Sequence, residues 1–208
     1  MQTKEAIQLL ERLKEITKSM PDTMIAVLVN EHGSDPFIIL ISCLLSLRSR
    51  DVQTLPISRE LFLLVRTPQQ LIDLPLDVLE QIVYPIGFYR QKSATLKHVC
   101  TELIARFNGQ VPSTEDELLS IKGVGRKTAA LVLSEAFGVP AICVDVHVHR
   151  ISNLLGMVKT RTPEETETAL KKLLPQQYWR ECNYLFVKLG QNTKPSEIIN
   201  RIKKNRNA

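Results

Sequence analysis

The 208-residue chain is 44% hydrophobic and 24% charged, which suits one compact unit or two lobes sharing a core. Its longest apolar run, from Pro36 to Leu47, contains serine and is too short to cross a bilayer; the start, Met1-Gln2-Thr3-Lys4-Glu5, lacks the basic-then-apolar order of a secretory signal. A cytosolic protein with no membrane partner is expected, and its net charge of +5 leaves room for an anionic one.

Ala6, Leu9, Leu10, Leu13 and Ile16 recur at helical spacing and give the first helix one apolar face. Asp35 followed by Pro36 is a start signal, and the apolar helix it opens is predicted to run to about Arg48. Shorter helices are predicted at residues 53–65, 68–72 and 76–84, after which Gly87 breaks the chain. A longer helix spans 90–107 and stops at Asn108-Gly109. Thr114, with Glu117 three residues on, is a capping box for a short helix ending at Ile121. Beyond a glycine turn, a helix covers 126–137 and ends at Gly138, with Pro140 after it. Further helices fit 146–155, 163–173, 177–189 and 196–204. No repeat, low-complexity segment or strong strand signal appears, so the fold class is all-α.

The charge is unevenly placed. From Lys188 onward six basic residues (Lys188, Lys194, Arg201, Lys203, Lys204, Arg206) meet one acid, Glu197, while residues 1–187 balance at 21 against 21. A cationic tail beside a neutral body suggests polyanion contact, or a solubilising terminus. The four cysteines, Cys43, Cys100, Cys143 and Cys182, are never closer than 39 positions, which excludes a local Cys-x-x-Cys clip; buried free thiols are expected. His147 and His149 alternate, but no carboxylate or thiol except Asp145 joins them at ligand spacing. They read as structural histidines, and no metal site is expected.

The stretch Ile121-Lys122-Gly123-Val124-Gly125-Arg126-Lys127-Thr128-Ala129 reads helix, tight turn, helix. Gly123 and Gly125 let the backbone turn sharply and approach a ligand without a Cβ in the way. The N–H groups of the turn and of the next helix's first turn form an anion site reinforced by the helix dipole. Such a grip reads no bases, because every phosphate looks alike. Lys127 stands just inside that helix, and Asp145 follows in Val144-Asp145-Val146-His147. A lysine must be neutral to attack. The positive end of a helix disfavours its ammonium, and burial in a pocket would act the same way. Asp145 can receive the amine's proton, stabilise positive charge growing on a sugar ring, and cap the helix from Val146 onward.

These stretches resemble endonuclease III, within the helix-hairpin-helix DNA glycosylases. The match rests on Leu44-Leu45-Ser46 with Asp51, on Ile86-Gly87-Phe88-Tyr89 with Lys92 and Ala94, on Gly123-Val124-Gly125-Arg126-Lys127-Thr128-Ala129, and on Val144-Asp145 with His147 and Arg150. They occur in family order and separation, and the resemblance covers about residues 30–190. It implies a two-lobed fold. One lobe, residues 29–139, would be a helical barrel carrying the hairpin; the other would join residues 1–28 to 140–208, with a cleft between them. It also implies that Lys127 is the nucleophile for C1′ of a damaged nucleotide and Asp145 the essential carboxylate. A lysine at this position implies a bifunctional enzyme that removes the base and nicks the strand, acting on oxidised or ring-saturated pyrimidines in damaged double-stranded DNA. DNA contacts are expected from Gly123, Val124, Gly125, Arg126, Thr128 and His147. The target base must leave the stack, and the gap needs filling. Phe88 corresponds to the family's wedge, where an aliphatic residue is commoner, and Arg48 to a position where many relatives carry glutamine opposite the orphaned base. A core aromatic and a solvated helix end are the bland alternatives. Asp51 could cap or orient this loop.

The chain departs from the family at its end. Most relatives carry four closely spaced cysteines holding a [4Fe–4S] cluster, where this chain has Gly190-Gln191-Asn192-Thr193-Lys194-Pro195. The cluster is expected to be absent, with Lys194, Lys203 and the rest of the basic tail supplying the DNA contact its loop would make. The expected protein is a monomer in the cytosol, associated with the nucleoid. Action on oxidised purines or abasic sites, or a helix-hairpin-helix module without catalysis, remain open alternatives.

Overall fold

In the computed structural model, which describes residues 1–204, helices follow one another and no strand occurs among the described residues. In chain order they are α1 (Thr3–Thr17), α2 (Met24–His32), α3 (Pro36–Ser46), α4 (Asp51–Leu64), α5 (Pro68–Asp73), α6 (Leu76–Val83) and α7 (Tyr89–Phe107). Then come α8 (Glu115–Ser120), α9 (Arg126–Ala136), α10 (Val146–Leu154), α11 (Pro163–Leu173), a 3-10 turn (Gln176–Tyr178), α12 (Trp179–Asn192) and α13 (Pro195–Lys204). They form two compact units: Met24–Val139, and Met1–Thr23 together with the chain from Pro140 onward. Arg206 of the basic tail lies outside the described residues.

The first unit is built around α3. Its sequence is apolar all round, as befits a helix enclosed on every side, and only Pro36 and Ser46 escape full burial. Asp35 caps it: Oδ1 accepts the N–H groups of Phe37 at 2.9 Å and Ile38 at 3.1 Å. Helices α2, α4, α7 and α9 pack on it. Helix α2 is the element the sequence leaves unassigned. Its run Met24-Ile25-Ala26-Val27-Leu28-Val29 is apolar with stiff β-branched members and shows no one-sided stripe. The Met24 N–H donates to Asp51 Oδ2 at 3.0 Å, a carboxylate 27 positions away in sequence. Asp51 therefore caps a helix other than its own. Helix α3 ends at Ser46 rather than near Arg48; Leu47 leaves the helix and Arg48 takes a left-handed φ of 56°. The reason is tertiary: the Lys92 ammonium takes the carbonyls of Leu45 at 2.8 Å and Leu47 at 2.5 Å and ends the helix there.

The second unit packs α12 between α1 and α10, with α11 on α10 and α13 on α1. Leu10, Leu13, Val148, Ile151, Phe186, Leu189 and Ile198 share its core. The helix expected over 177–189 begins as the 3-10 turn and continues to Asn192. A polar clasp closes its edge. The Lys188 ammonium, nearly enclosed, donates to Asp22 Oδ1 at 2.6 Å and to the Tyr184 hydroxyl oxygen at 3.0 Å, and that hydroxyl donates to Asp22 at 2.5 Å.

The hydrogen bonds from Lys188 and then Tyr184 lower the Asp22 pKa. A carboxylate lowered on folding contributes stability that is present above its unfolded pKa and lost as pH falls through the folded value. Asp22→Asn should therefore cost about 1 kcal/mol at neutral pH, a modest figure because Asp22 is half-exposed and screened. In urea denaturation at a series of pH values, the gap between wild type and variant should close below about pH 4. A gap independent of pH would show that the charge is not what stabilises the clasp.

Candidate active site and nucleic-acid interface

The hairpin lies between α8 and α9. The Thr114 hydroxyl oxygen accepts the Glu117 N–H at 3.4 Å and the hydroxyl donates to the Glu117 carboxylate at 2.6 Å, so the expected box closes on the hydroxyl. Ile121 and Val124 are buried and anchor the turn, while Lys122, Gly123, Gly125, Arg126 and Lys127 are exposed. Thr128, three residues beyond Gly125, is buried again. The turn is thus held from below and open above.

Its two glycines differ. Gly123 has φ 106°, and an added Cβ would stand 2.9 Å from Thr95 Cγ2 and 3.7 Å from Val99 Cγ2, both on α7. The fold demands glycine there. Gly125 has φ −96°, open to any residue, and an added Cβ would meet nothing within 4 Å. No neighbouring atom requires glycine at 125, and the space beside it is open.

Helix α9 has no acid in its first turn and carries Arg126 and Lys127 there. That is the wrong charge for the dipole and the right charge for an anion seated on the first turn. Lys127 is exposed in this structure rather than buried in a pocket.

Arg48 and Phe88 come together. Both are non-glycine residues with left-handed backbone, at φ 56° and 60°, and both are exposed. They line one cavity of about 300 Å³, with Leu47, Gln91 and Lys92 beside them and Gly123 at its edge. Phe88 is the N-cap of α7 and 61% exposed, so it is not a core aromatic. Sequence reasoning assigned no role to Lys92. The signal was present: it occupies the stripe continued by Leu96, Val99, Cys100 and Leu103, where an apolar residue belongs.

In the other unit Asp145 is the N-cap of α10. Its Oδ1 accepts the N–H groups of His147 at 2.8 Å and Val148 at 2.9 Å, so the capping role read from the sequence is realised. The His147 ring lies on α12: a Cβ added at Gly190 would stand 2.8 Å from its Cγ. His149 Nδ1 pairs with the Thr166 hydroxyl at 2.6 Å and ties α10 to α11. Lys194 is exposed between α12 and α13. The side chain of Lys203 lies outside the described residues.

All four cysteines are buried and unbridged, Cys43 and Cys100 in one unit, Cys143 and Cys182 in the other. Burial pushes the Cys100 thiol up to about 12 and the Cys182 thiol upward as well. Among the described residues no group of three or more His, Cys, Asp or Glu side chains could hold a metal ion. No helix among them is long and apolar enough to cross a membrane.

Residues 41–176 match the model of the HhH-GPD superfamily of base excision DNA repair proteins. The chain is 46% identical over 181 residues to endonuclease III of Thermotoga maritima, an overlap of 87% of this chain and 82% of that protein. It is similar to the solved structure of a trapped endonuclease III–DNA covalent intermediate, with a TM-score of 0.77, 34% identity and coverage of 91% and 86% of the two chains. A non-covalent endonuclease III–DNA complex aligns over 100% of both chains with a TM-score of 0.79 and 30% identity. The chain belongs to the endonuclease III group of the HhH-GPD superfamily, and it is a DNA glycosylase.

The two hairpin glycines should separate in stability. Gly123→Ala forces a left-handed alanine against Thr95 and should cost roughly 2 kcal/mol. Thr95→Ser, which removes Cγ2, should recover part of that loss. Gly125→Ala should leave stability within about 0.5 kcal/mol of wild type. Thermal and urea unfolding of the variants measures this, and equal losses at 123 and 125 would refute the division.

Proposed function

We propose that this glycosylase excises oxidised or ring-saturated pyrimidines from duplex DNA and then nicks the strand at the resulting site. The observation that carries the proposal is Lys127 in the first turn of α9, directly after a turn whose Gly125 has no use inside the fold. The trapped covalent intermediate of endonuclease III supports a covalent route for this chain.

The hairpin takes a phosphate on the backbone N–H groups of Gly123, Gly125, Arg126 and Thr128 and so sets the register on the strand; the Val124 N–H is held by the Ile121 carbonyl at 3.0 Å, so Val124 anchors the turn from below. Phe88 enters the stack where the target nucleotide has left it. Arg48 meets the base left without its partner; guanidinium donors suit base acceptors or phosphate equally. A DNA contact by His147, beside Asp145 at the start of α10, follows from the family resemblance alone. These assignments rest on exposure, on the shared cavity and on residue-by-residue similarity.

The Lys127 amine, having given up a proton, attacks C1′; the C1′–N bond breaks and the base departs with its electron pair, protonated as it leaves. Asp145 receives the proton of the amine and opposes the positive charge that develops on the sugar. The nitrogen now bonded to C1′ loses its extra proton and expels O4′; the C1′–O4′ bond breaks, O4′ takes a proton, and the opened sugar carries a Schiff base at C1′. That imine acidifies C2′, a proton is lost there, and the C3′–O bond breaks with the 3′ phosphate as leaving group. Water hydrolyses the imine and returns free Lys127.

The iron–sulfur cluster of most relatives has no place in this scheme. Four separated, buried thiols do not fit a site needing closely spaced thiolates, and no step is routed through one. The basic tail supplies the DNA contact instead. Helix α13 supports this by standing where a tail helix was expected, with Ile198 in the core and Lys194 exposed.

A duplex carrying one thymine glycol tests the chemistry. Wild type should nick it and form a borohydride-stabilised adduct. Lys127→Ala should form no adduct, and Asp145→Asn should lose about 10² to 10⁴ in rate. Equal nicking by all three would refute the assignment, and an adduct only with an 8-oxoguanine duplex would move the substrate to oxidised purines.

Because Ile198 is buried, the tail is better tested by substitution than by cutting. Removing the charges of Lys194 and Lys203 together should flatten the slope of log affinity against log salt by about 2. An unchanged slope would show that neither lysine meets phosphate.

A further inference from the structure

Lys92 is 7% exposed on the apolar stripe of α7. A buried ammonium is costly unless it is fully engaged. Its hydrogen bonds go to two carbonyls, Leu45 at 2.8 Å and Leu47 at 2.5 Å, while burial and then the neighbouring guanidinium of Arg48 lower its pKa. Both oppose the ammonium. The carbonyls lie at the C-terminal end of α3, the negative end of its dipole, which favours it.

The residue after the second carbonyl is Arg48, in a left-handed conformation that a side chain with a Cβ adopts only when its surroundings over-determine it. Across the cavity Phe88 is in the same condition. Phe88 lies four residues before Lys92, and its carbonyl accepts the Lys92 N–H at 2.9 Å in the first turn of α7. Lys92 is thus bonded at its backbone to the Phe88 turn and at its ammonium to the turn that presents Arg48. It is the covalent and hydrogen-bonded link between the two.

We propose that Lys92 is a positioning residue for the opened duplex: it locks the Leu47-Arg48 turn to the start of α7, so that Arg48 and Phe88 stand on one cavity rim at a fixed separation. This deepens the assignment of those two residues and rests on it. Lys92 touches no reacting atom. Its contribution therefore falls on double-stranded substrate, where a base must be separated from its partner, and not on the chemistry at Lys127.

Borohydride trapping of an abasic-site oligonucleotide, single-stranded and in duplex against each of the four bases, separates the two. For Lys92→Met the single-strand rate should stay within about twofold of wild type, while the duplex rate at low substrate falls roughly tenfold or more, chiefly through KM, and preference among opposing bases flattens. Lys92→Arg, which keeps a cation able to donate to both carbonyls, should restore most of the duplex rate. If Lys92→Met does not fold, Lys92→Gln is read by the same ratio of duplex to single-strand rates. An unchanged ratio refutes the role of Lys92, as does an equal loss on both substrates or a Lys92→Arg variant no better than Lys92→Met. Wild type that traps on no abasic substrate refutes the covalent reading itself, a separate outcome.

Discussion

The last turn of any helix leaves carbonyls without partners, and two helices of the first unit are closed by lysines from a third. Lys92 of α7 takes the end of α3, and Lys97 of the same helix donates to Ile72 at 2.7 Å and to Leu74, closing α5. Burial depresses both lysine pKa values; Lys92 is enclosed and Lys97 partly buried. Helix α7 also begins at Phe88 and carries Thr95 beneath Gly123. Three turns of different sequence origin are therefore referenced to one rigid rod. Loops that carry function need such a frame, since their own backbone supplies little stiffness.

Much of this fold is legible in the sequence because its stop and start signals are local. Asp35-Pro36, Thr114, Thr162 and Asp145 each cap the helix that follows through bonds two or three residues away. What was not legible depends on distant partners. Helix α2 has its first N–H held by Asp51, and α3 is stopped by Lys92; neither relation has any trace in a window of neighbouring residues. The same logic explains the small errors of extent. A helix that could have run to Arg48 on propensity alone ends two residues early because a cation from α7 claims its carbonyls.

The site was legible where chemistry fixes residue type. A lysine at a helix start, proposed as the nucleophile, and a capping carboxylate are visible as letters in order, and Asp145 does cap α10. Glycine is less informative, because one letter serves two needs. Only the geometry separates Gly123, which α7 leaves no room to change, from Gly125, which no neighbour constrains. Lys92 was the reverse case. Its letter was conspicuous on an apolar stripe, but its partners are main-chain oxygens, which carry no residue identity and cannot be read from sequence.

In the second unit the segment 190–195 is fixed by protein contacts of ordinary size. Asn192 Nδ2 donates to the Pro21 carbonyl at 3.2 Å and the Lys188 carbonyl at 2.8 Å, and Ile198 is fully buried beyond it. Burial of one isoleucine contributes about 2 kcal/mol and each hydrogen bond about 1 kcal/mol. These contacts are enough for their task. The unit already has a continuous apolar core from α1, α10 and α12, and only a short connection must be held. Gly190 meets the other requirement. Without a Cβ it lets the His147 ring rest on α12, and His147 supplies one of the two N–H groups that orient Asp145. The carboxylate proposed for catalysis is in this way placed through close packing of His147 on the backbone of α12.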